Sequence, residues 1–358
     1  MQMETKIVKA YGDPVRDKEV MSEAGLIIRS GGLVAIPTET VYGLAGDALN
    51  PDSSRKIYSA KGRPSDNPLI VHISKTEDVY KITDSFPEEA EELAREFWPG
   101  PLTMVLPKSS LVPRETTGGL DTVAVRMPVN PIASEFISSS GGFIAAPSAN
   151  RSGRPSCTTA AHVFEDMNGR IPLIIDGGEV GIGIESTIVD LTGNKPCLLR
   201  PGIINVAMLN EVVGDVDIDP SIEGIVDRDA HPKAPGMKYK HYAPKGELYI
   251  VRGDLIKVTE KINSLVSVNR SKNIKTAVIA TDETRDVYAA DLVVSVGRRS
   301  DEASIAHNLF SVLRSMDEED VDIIYTEEFD TPNIGPAIMN RLVRAAGHKI
   351  IDSSLRSE

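Results

Sequence analysis

The sequence predicts an α/β protein of two domains, and three observations carry that reading. The chain has 358 residues, more than one ordinary domain needs. Its N-terminal part holds short apolar runs that stop at a proline and give way to hydroxyl, amide and cationic side chains, as buried strands do where they end at a ligand. From Glu247 onward, short apolar runs alternate with longer amphipathic ones, which argues for a parallel sheet with helices on its faces. The expected division is residues 1–210, a linker at 211–246, and a smaller domain at 247–358.

Taken in order, Asp17 to Arg29 carries Val20, Ala24, Ile27 and Ile28 at helical spacing and ends at Gly31-Gly32. Leu33 to Ile36 is an apolar run stopped by Pro37, so Thr38, Glu39, Thr40 and Tyr42 should emerge at the end of a buried strand. Asn50 is placed to cap the next helix, with Pro51 in its first turn. Lys61 and Arg63 then flank Gly62. By itself such a pair is a solvated basic turn, although two cations held so close also suit an anion. Leu69 to Ile73 reads as a strand carrying His72, and Pro87 to Phe97 as a helix with its acids in the first turn. Trp98 is expected to pack in the turn before a strand at Leu102 to Leu106. In Thr122 to Pro128, Val123 and Val125 share one face and Thr122, Ala124 and Arg126 the other. Arg126 reads equally as a solvent-facing or a pocket cation. Gly142 to Asn150 repeats the opening logic, ending in Ser148 and Asn150, and Thr158 is expected to cap a helix running to Met167. Arg200 lies at one further strand end.

Composition excludes several classes. A net charge of −13 argues against clamping a polyanion with the whole surface, so any nucleotide contact needs a local basic pocket. Cys157 and Cys197 sit in no Cys-x-x-Cys or Cys/His cluster and are expected to be reduced thiols, with no metal site. No apolar run approaches a membrane span, and the N-terminal residues lack a signal peptide's apolar core, so a cytoplasmic location is expected. Asp176 to Thr187 is glycine-rich but lacks the third glycine of a dinucleotide fingerprint, and no P-loop occurs. Hydrolytic triads, paired glycosidase carboxylates and His-Glu-x-x-His are likewise missing. What remains is an inventory of cations, hydroxyls and amides. It fits reactions driven by positioning and charge stabilisation, as nucleotidyl transfer is.

Between Glu211 and Asp229 seven acids face one base, whereas Lys233 to Lys245 carries four lysines and no acid. By composition this is a solvated linker. Beyond it, Asn333 to Arg341 is a candidate loop opening a ligand-binding helix, and His307 and His348 read as helix-face or surface histidines.

Three signatures in order, Pro37 to Leu44 (PTETVYGL), Lys61-Gly62-Arg63 and Ser148-Ala149-Asn150, resemble the YrdC/Sua5 family of threonylcarbamoyl-AMP synthases. Pro235 to Pro244 (PGMKYKHYAP) resembles the linker of the longer Sua5 subfamily. The resemblance implies a YrdC-like domain with a twisted mixed sheet and a concave basic pocket, followed by a Rossmann-like Sua5 domain. It implies L-threonine, bicarbonate or carbon dioxide, and ATP as substrates, with Mg2+ accompanying ATP. On this resemblance Thr40, His72, Arg126, Ala146 and Ser186 bind threonine, Arg126 through its carboxylate. Asn67, Thr122, Ser148, Asn150, Ser156, Arg200 and Tyr242 position the nucleotide, while Lys61 and Arg63 neutralise the triphosphate and carry catalysis. Tyr239, His241 and Tyr242 would form a lid. The resemblance implies a downstream threonylcarbamoyl transferase complex as partner and leaves open a weak contact with tRNA or other RNA.

Overall fold

The computed structural model describes residues 3–223, 232–235 and 241–354. Contacts divide the chain into two compact units, Met1–Ser152 with Ser156–Lys238 and Gly153–Pro155 with Tyr239–Glu358. Of the segment expected as a linker, a helix that begins at Val206 runs on to Val213, and Asp217–Ile218 pairs as a strand within the first unit.

The first unit is built on a mixed sheet of eleven strands. In chain order these are β1 Lys6–Lys9, β2 Val34–Ile36, β3 Gly43–Asp47, β4 Ile70–His72, β5 Leu102–Pro107, β6 Thr122–Arg126, β7 Ile144–Ala145, β8 Leu173–Asp176, β9 Thr187–Asp190, β10 Cys197–Arg200 and β11 Asp217–Ile218. In space they run β1-β8-β2-β3-β7-β4-β6-β5-β9-β10-β11. Strands β2, β4, β5, β6, β7 and β10 were legible as apolar runs. Strand β3 was not, because Gly43-Leu-Ala-Gly-Asp47 is glycine-rich and becomes a strand by antiparallel pairing to β2.

Two apolar layers cover this sheet. Met21, Ala24 and Ile28 of the helix Lys18–Arg29 pack with Ile132, Phe136 and Ile137 of the helix Pro131–Ser139 over Val34, Ile36 and Leu173. On the other side Ile57 of the helix Pro51–Lys61 and Leu93 of the helix Glu88–Phe97 join Leu44, Val71, Met104, Val123 and Val125. The remaining face of β4, β6, β5, β9 and β10 carries a small apolar cluster of Ile70, Val105, Ala124, Ile188 and Leu199, on which Ala234 rests. Polar side chains fill the rest of that face.

Trp98 is buried and its indole N–H donates to the Leu102 carbonyl at 2.8 Å, so its role is packing. One expected cap is displaced by a residue. Thr159, not Thr158, caps the helix Ala160–Met167, its hydroxyl accepting from His162 N at 3.2 Å, because Thr159 has the extended backbone a cap requires.

The second unit is an all-parallel sheet of β12 Glu247–Arg252, β13 Thr276–Ala280, β14 Leu292–Ser295, β15 Ile323–Glu327 and β16 Ile350–Asp352 in the order β14-β13-β15-β12-β16. Helices Leu255–Ser271, Glu302–Glu318 and Gly335–Ala346 connect most of its strands, as the alternation implied. The C-terminal strand β16 is too short to have been read from the sequence. No helix among the described residues is long and apolar enough to cross a membrane.

Phe136 is fully buried at the centre of the layer over β2, so Phe136→Ala should cost about 3–5 kcal/mol. Urea unfolding followed by a probe in the first unit measures it. A loss below about 1 kcal/mol would show that this layer is not a tightly packed core.

Candidate active site

The register of five strands lines up one row of side chains. His72 is level with Arg126, Arg126 with Thr103, Thr103 with Ile188, and Ile188 with Arg200. Neighbouring strands lie about 4.8 Å apart, so the row spans roughly 19 Å of the polar face. Three of its five members were singled out from the sequence. Thr103 was missed, although it alternates with the core-facing Leu102 and Met104.

Arg126 is buried, and its partners are specific. Its Nη2 donates to Glu39 Oε1 at 2.5 Å, its Nη1 to Thr40 Oγ1 at 2.8 Å and its Nε to the Gly100 carbonyl at 3.3 Å. Glu39 and Thr40 are positioned by backbone bonds, the Glu39 carbonyl accepting from Ile182 N at 2.8 Å and the Thr40 carbonyl from Gly183 N at 3.1 Å. The glycine-rich loop is therefore a support for the strand-end residues. Thr38 Oγ1 donates to the Val41 carbonyl at 2.7 Å and lies 2.9 Å from Thr40 Oγ1. A hydroxyl has one proton, so Thr40 donates to Thr38 and its remaining capacity toward a ligand is as an acceptor. Beside them, burial and then the Arg126 charge pull His72 down to about 3, so its imidazole is neutral. Tyr42, expected at the strand end, is instead a fastener. Its hydroxyl donates to the Gly178 carbonyl at 2.7 Å and accepts from Gly177 N at 3.2 Å.

A second cluster gathers around Lys61. Gly62 takes a left-handed backbone, φ 64°, which lets the helix Pro51–Lys61 end with Gly62 N on the Ser59 carbonyl and Arg63 N on the Tyr58 carbonyl. That reversal is why both cations are buried rather than solvated. Lys61 Nζ donates to the carbonyls of Ser148 and of Asn150, the latter at 2.6 Å, which joins the Lys-x-Arg turn to the Ser-x-Asn loop. Ser148 Oγ in turn donates to Asn150 Oδ1 at 2.6 Å. Arg63 Nε and Nη2 donate to the carbonyls of Asn67 and Pro68 at 3.3 and 3.2 Å, and the Asn67 Oδ1 atom is buried without a hydrogen-bond partner. Burial, and then the neighbouring Arg63 charge, pull the Lys61 ammonium down to about 7.

The other expected residues fall as follows. Ser186 Oγ lies 2.8 Å from Thr103 Oγ1 and accepts from Arg200 Nη2 at 3.1 Å, while Arg200 also donates to the carbonyls of Ser186 and Pro235. Ser156 Oγ donates to Glu185 Oε1 at 2.5 Å. Ala146 is buried among apolar neighbours, with its N–H on the Ile70 carbonyl at 2.9 Å, so its methyl is a core group. Thr122 opens β6, four residues and about 13 Å of strand from Arg126. It is not part of the Arg126 cluster. His241 and Tyr242 belong to the second unit, where Tyr242 is buried and its ring stacks on Phe310 at 5.1 Å. Tyr239 lies outside the described residues.

In the second unit, the N-terminus of the helix Gly335–Ala346, read as a candidate ligand site, is already occupied. The Glu302 carboxylate accepts from the backbone N–H groups of Ile334 and Gly335.

Comparison with known proteins adds to this geometry. A Sua5/YciO/YrdC family model, described as "Telomere recombination", matches residues 26–202, and one described as "Threonylcarbamoyl-AMP synthase, C-terminal domain" matches residues 204–347. A Pyrococcus abyssi protein named threonylcarbamoyl-AMP synthase is 49% identical over 337 residues, 94% of this chain and 96% of that protein. The chain belongs to the threonylcarbamoyl-AMP synthase family. A Bacillus subtilis member with the same name is 46% identical, covering 92% of this chain and 94% of its own. The crystal structure of P. abyssi Sua5 complexed with L-threonine superposes with a TM-score of 0.90 at 47% identity, covering 97% of this chain and 99% of that one. Both the mixed-sheet domain and the parallel C-terminal domain thus have counterparts in this family.

The Lys61 shift sets a pH dependence with a definite sign. The folded chain releases the proton near 7 and the unfolded chain near the ordinary lysine value of 10.5, so between them the unfolded state binds more protons and stability rises with pH. The destabilising contribution is fully present below 7 and is lost toward 10.5. Relative to a Lys61→Met variant, the wild type should therefore gain stability as pH rises from 6.5 to 9, measured by urea midpoints. A pH-independent difference would mean that Lys61 titrates normally.

Proposed function

We propose that this chain is an L-threonylcarbamoyladenylate synthase, joining L-threonine, bicarbonate or carbon dioxide and ATP into threonylcarbamoyl-AMP and pyrophosphate. The observation that carries the reading is likeness along nearly the whole chain to proteins named for that product. In the cell the product would serve the N6-threonylcarbamoyladenosine modification at position 37 of tRNAs that read ANN codons. A mixed carboxylic-phosphoric anhydride is labile in water, which supports direct passage to a downstream transferase complex.

The reaction proceeds in two steps. The threonine amine captures carbon dioxide to give a carbamate, whose oxygen then attacks the α-phosphorus of ATP. The bond from that phosphorus to the bridging oxygen breaks, and the electron pair leaves with pyrophosphate. Lys61 and Arg63 are suited to the triphosphate because both are buried cations beside carbonyl oxygens that fix their position. A polyanion brought to Lys61 also raises its proton affinity, so the ammonium is charged when the charge on phosphorus develops. Arg126 grips the threonine carboxylate. Thr40, neutral His72 and Ser186 contact the rest of the amino acid, and Ala146 offers backbone. Asn67, with its unpartnered oxygen, takes the nucleotide together with Ser148, Asn150, Ser156, Arg200 and, at the far end of β6, Thr122. Mg2+ is expected with ATP. Among the described residues no group of three or more His, Cys, Asp or Glu is placed to hold a metal ion.

Pyrophosphate release with ATP and Mg2+ should require L-threonine and bicarbonate together. Release without either, or none from folded protein that binds ATP, would overturn the reading. Lys61→Ala and Arg63→Ala should each abolish release while the far-ultraviolet dichroism of the native fold is kept, and wild-type turnover in either would remove it from the site. A pocket that hydrogen-bonds the threonine hydroxyl should reject valine by roughly 10⁴-fold in kcat/KM, against about 10²-fold for an apolar slot.

A further inference from the structure

The geometry points to Glu39 as the residue that binds the α-ammonium of the amino acid substrate and accepts its proton. This rests on the synthase reading above. Glu39 is nearly buried, its side chain 12% exposed, and one carboxylate oxygen, Oε1, is committed to Arg126. The other, Oε2, is buried with no hydrogen-bond partner. A half-satisfied buried carboxylate is costly, and such a lone pair beside a binding site marks the place of a missing donor.

The identity of that donor follows from the groups around it. Three of the five guanidinium N–H bonds of Arg126 go to Glu39, Thr40 and Gly100, which leaves one on each Nη nitrogen for a carboxylate. Thr40 has spent its only proton on Thr38 and faces a ligand as an acceptor. An unpaired carboxylate oxygen and a hydroxyl acceptor therefore lie against a guanidinium that still has two donors. An α-amino acid carries the complementary pair on adjacent atoms, with its carboxylate for Arg126 and its ammonium for Glu39 and Thr40. His72, level with Arg126 on the neighbouring strand, is held neutral and so places no second positive charge beside the ammonium.

The same contact supplies chemistry. An ammonium has no lone pair, so one N–H bond must break before nitrogen can attack carbon dioxide. Glu39 Oε2 takes that proton and the N–H electron pair stays on nitrogen. That pair then forms the N–C bond while one C–O π pair of carbon dioxide moves onto oxygen. The second proton leaves the nitrogen for water as the carbamate forms. In sum, one ammonium and one carbon dioxide give one carbamate and two protons, the first of them passed through Glu39.

Ligand-observed NMR titration of full-length wild type and Glu39→Gln with L-threonine and with 3-hydroxybutanoate, which keeps the carboxylate and hydroxyl but has no ammonium, tests the binding role. Glu39→Gln should weaken threonine about tenfold or more and leave 3-hydroxybutanoate within about twofold. An equal loss for both ligands would mean that Glu39 only orders Arg126, and no loss would mean that it touches neither; either result overturns the proposal. Pyrophosphate release tests the proton transfer. Its kcat should fall about 10²-fold in Glu39→Gln at neutral pH and recover in part at a pH where free threonine is already an amine. A pH-independent loss overturns that step. Should Glu39→Gln not fold, Glu39→Asp carries the same comparison between ligands. Wild-type turnover that needs threonine and bicarbonate, measured alongside, separates failure of this proposal from failure of the synthase reading.

Discussion

The Arg126 guanidinium is the fixed point of the site. A buried cation is tolerated only when its charge and its N–H bonds are matched, and here Glu39 supplies the charge while Thr40 and the Gly100 carbonyl take two further bonds. Each of these partners is held by something else. Glu39 and Thr40 are tied by their carbonyls to the glycine-rich loop, Thr40 is oriented by Thr38, and Gly100 N donates to the Met127 carbonyl at 2.7 Å, next to Arg126 in the chain. Loosening any one of these would leave a desolvated charge with an incomplete shell. The strand ends, the loop and the turn after Trp98 are in this sense consequences of keeping one guanidinium dry and in place.

Lys61 obeys the same constraint with the opposite outcome. Arg126 has a carboxylate beside it. Lys61 has carbonyls as its hydrogen-bond partners, and burial first and the nearby Arg63 charge second leave its proton weakly held. Two buried cations in one domain thus differ in what they lack. Arg126 is neutralised and needs only a geometric match, whereas Lys61 awaits negative charge. That asymmetry suits the proposed pair of ligands, a zwitterion that brings no net charge and a polyanion that brings a large one.

Local patterns were readable because they are written in consecutive residues. The apolar runs stopped by Pro37 and Pro147, the alternation across Thr122 to Arg126 and the Lys61-Gly62-Arg63 turn each announce a strand end or a reversal. Register was not readable. Nothing in the sequence says that His72, Arg126, Thr103 and Arg200 stand in one row, because that depends on pairings between residues up to 85 positions apart. Thr103 was overlooked for this reason. Glu39 was named only as emerging at a strand end and was given no role, because nothing in the sequence shows its ion pair with Arg126. Tyr42, placed with it at the strand end, proves to be a strut.

The second unit shows how similar sheet architecture can be closed to the same chemistry. In open parallel sheets a ligand normally enters where the connections diverge, beyond the carboxyl ends of the strands, and its phosphate meets a helix N-terminus. Here β13 leads on to β14 and β15 leads on to β16, so the divergence lies between β13 and β15. The carboxylate of Glu327, at the end of β15, fills it, bonded to Thr284, to Tyr288 at 2.7 Å and to Arg299. Glu302 occupies the N-terminus of the helix Gly335–Ala346 in the same way. A phosphate approaching either position meets a carboxylate rather than free N–H groups. The Rossmann-like connectivity of this unit thus leads to positions already taken by carboxylates, whereas Lys61 and Arg63 of the first unit stand beside carbonyl oxygens.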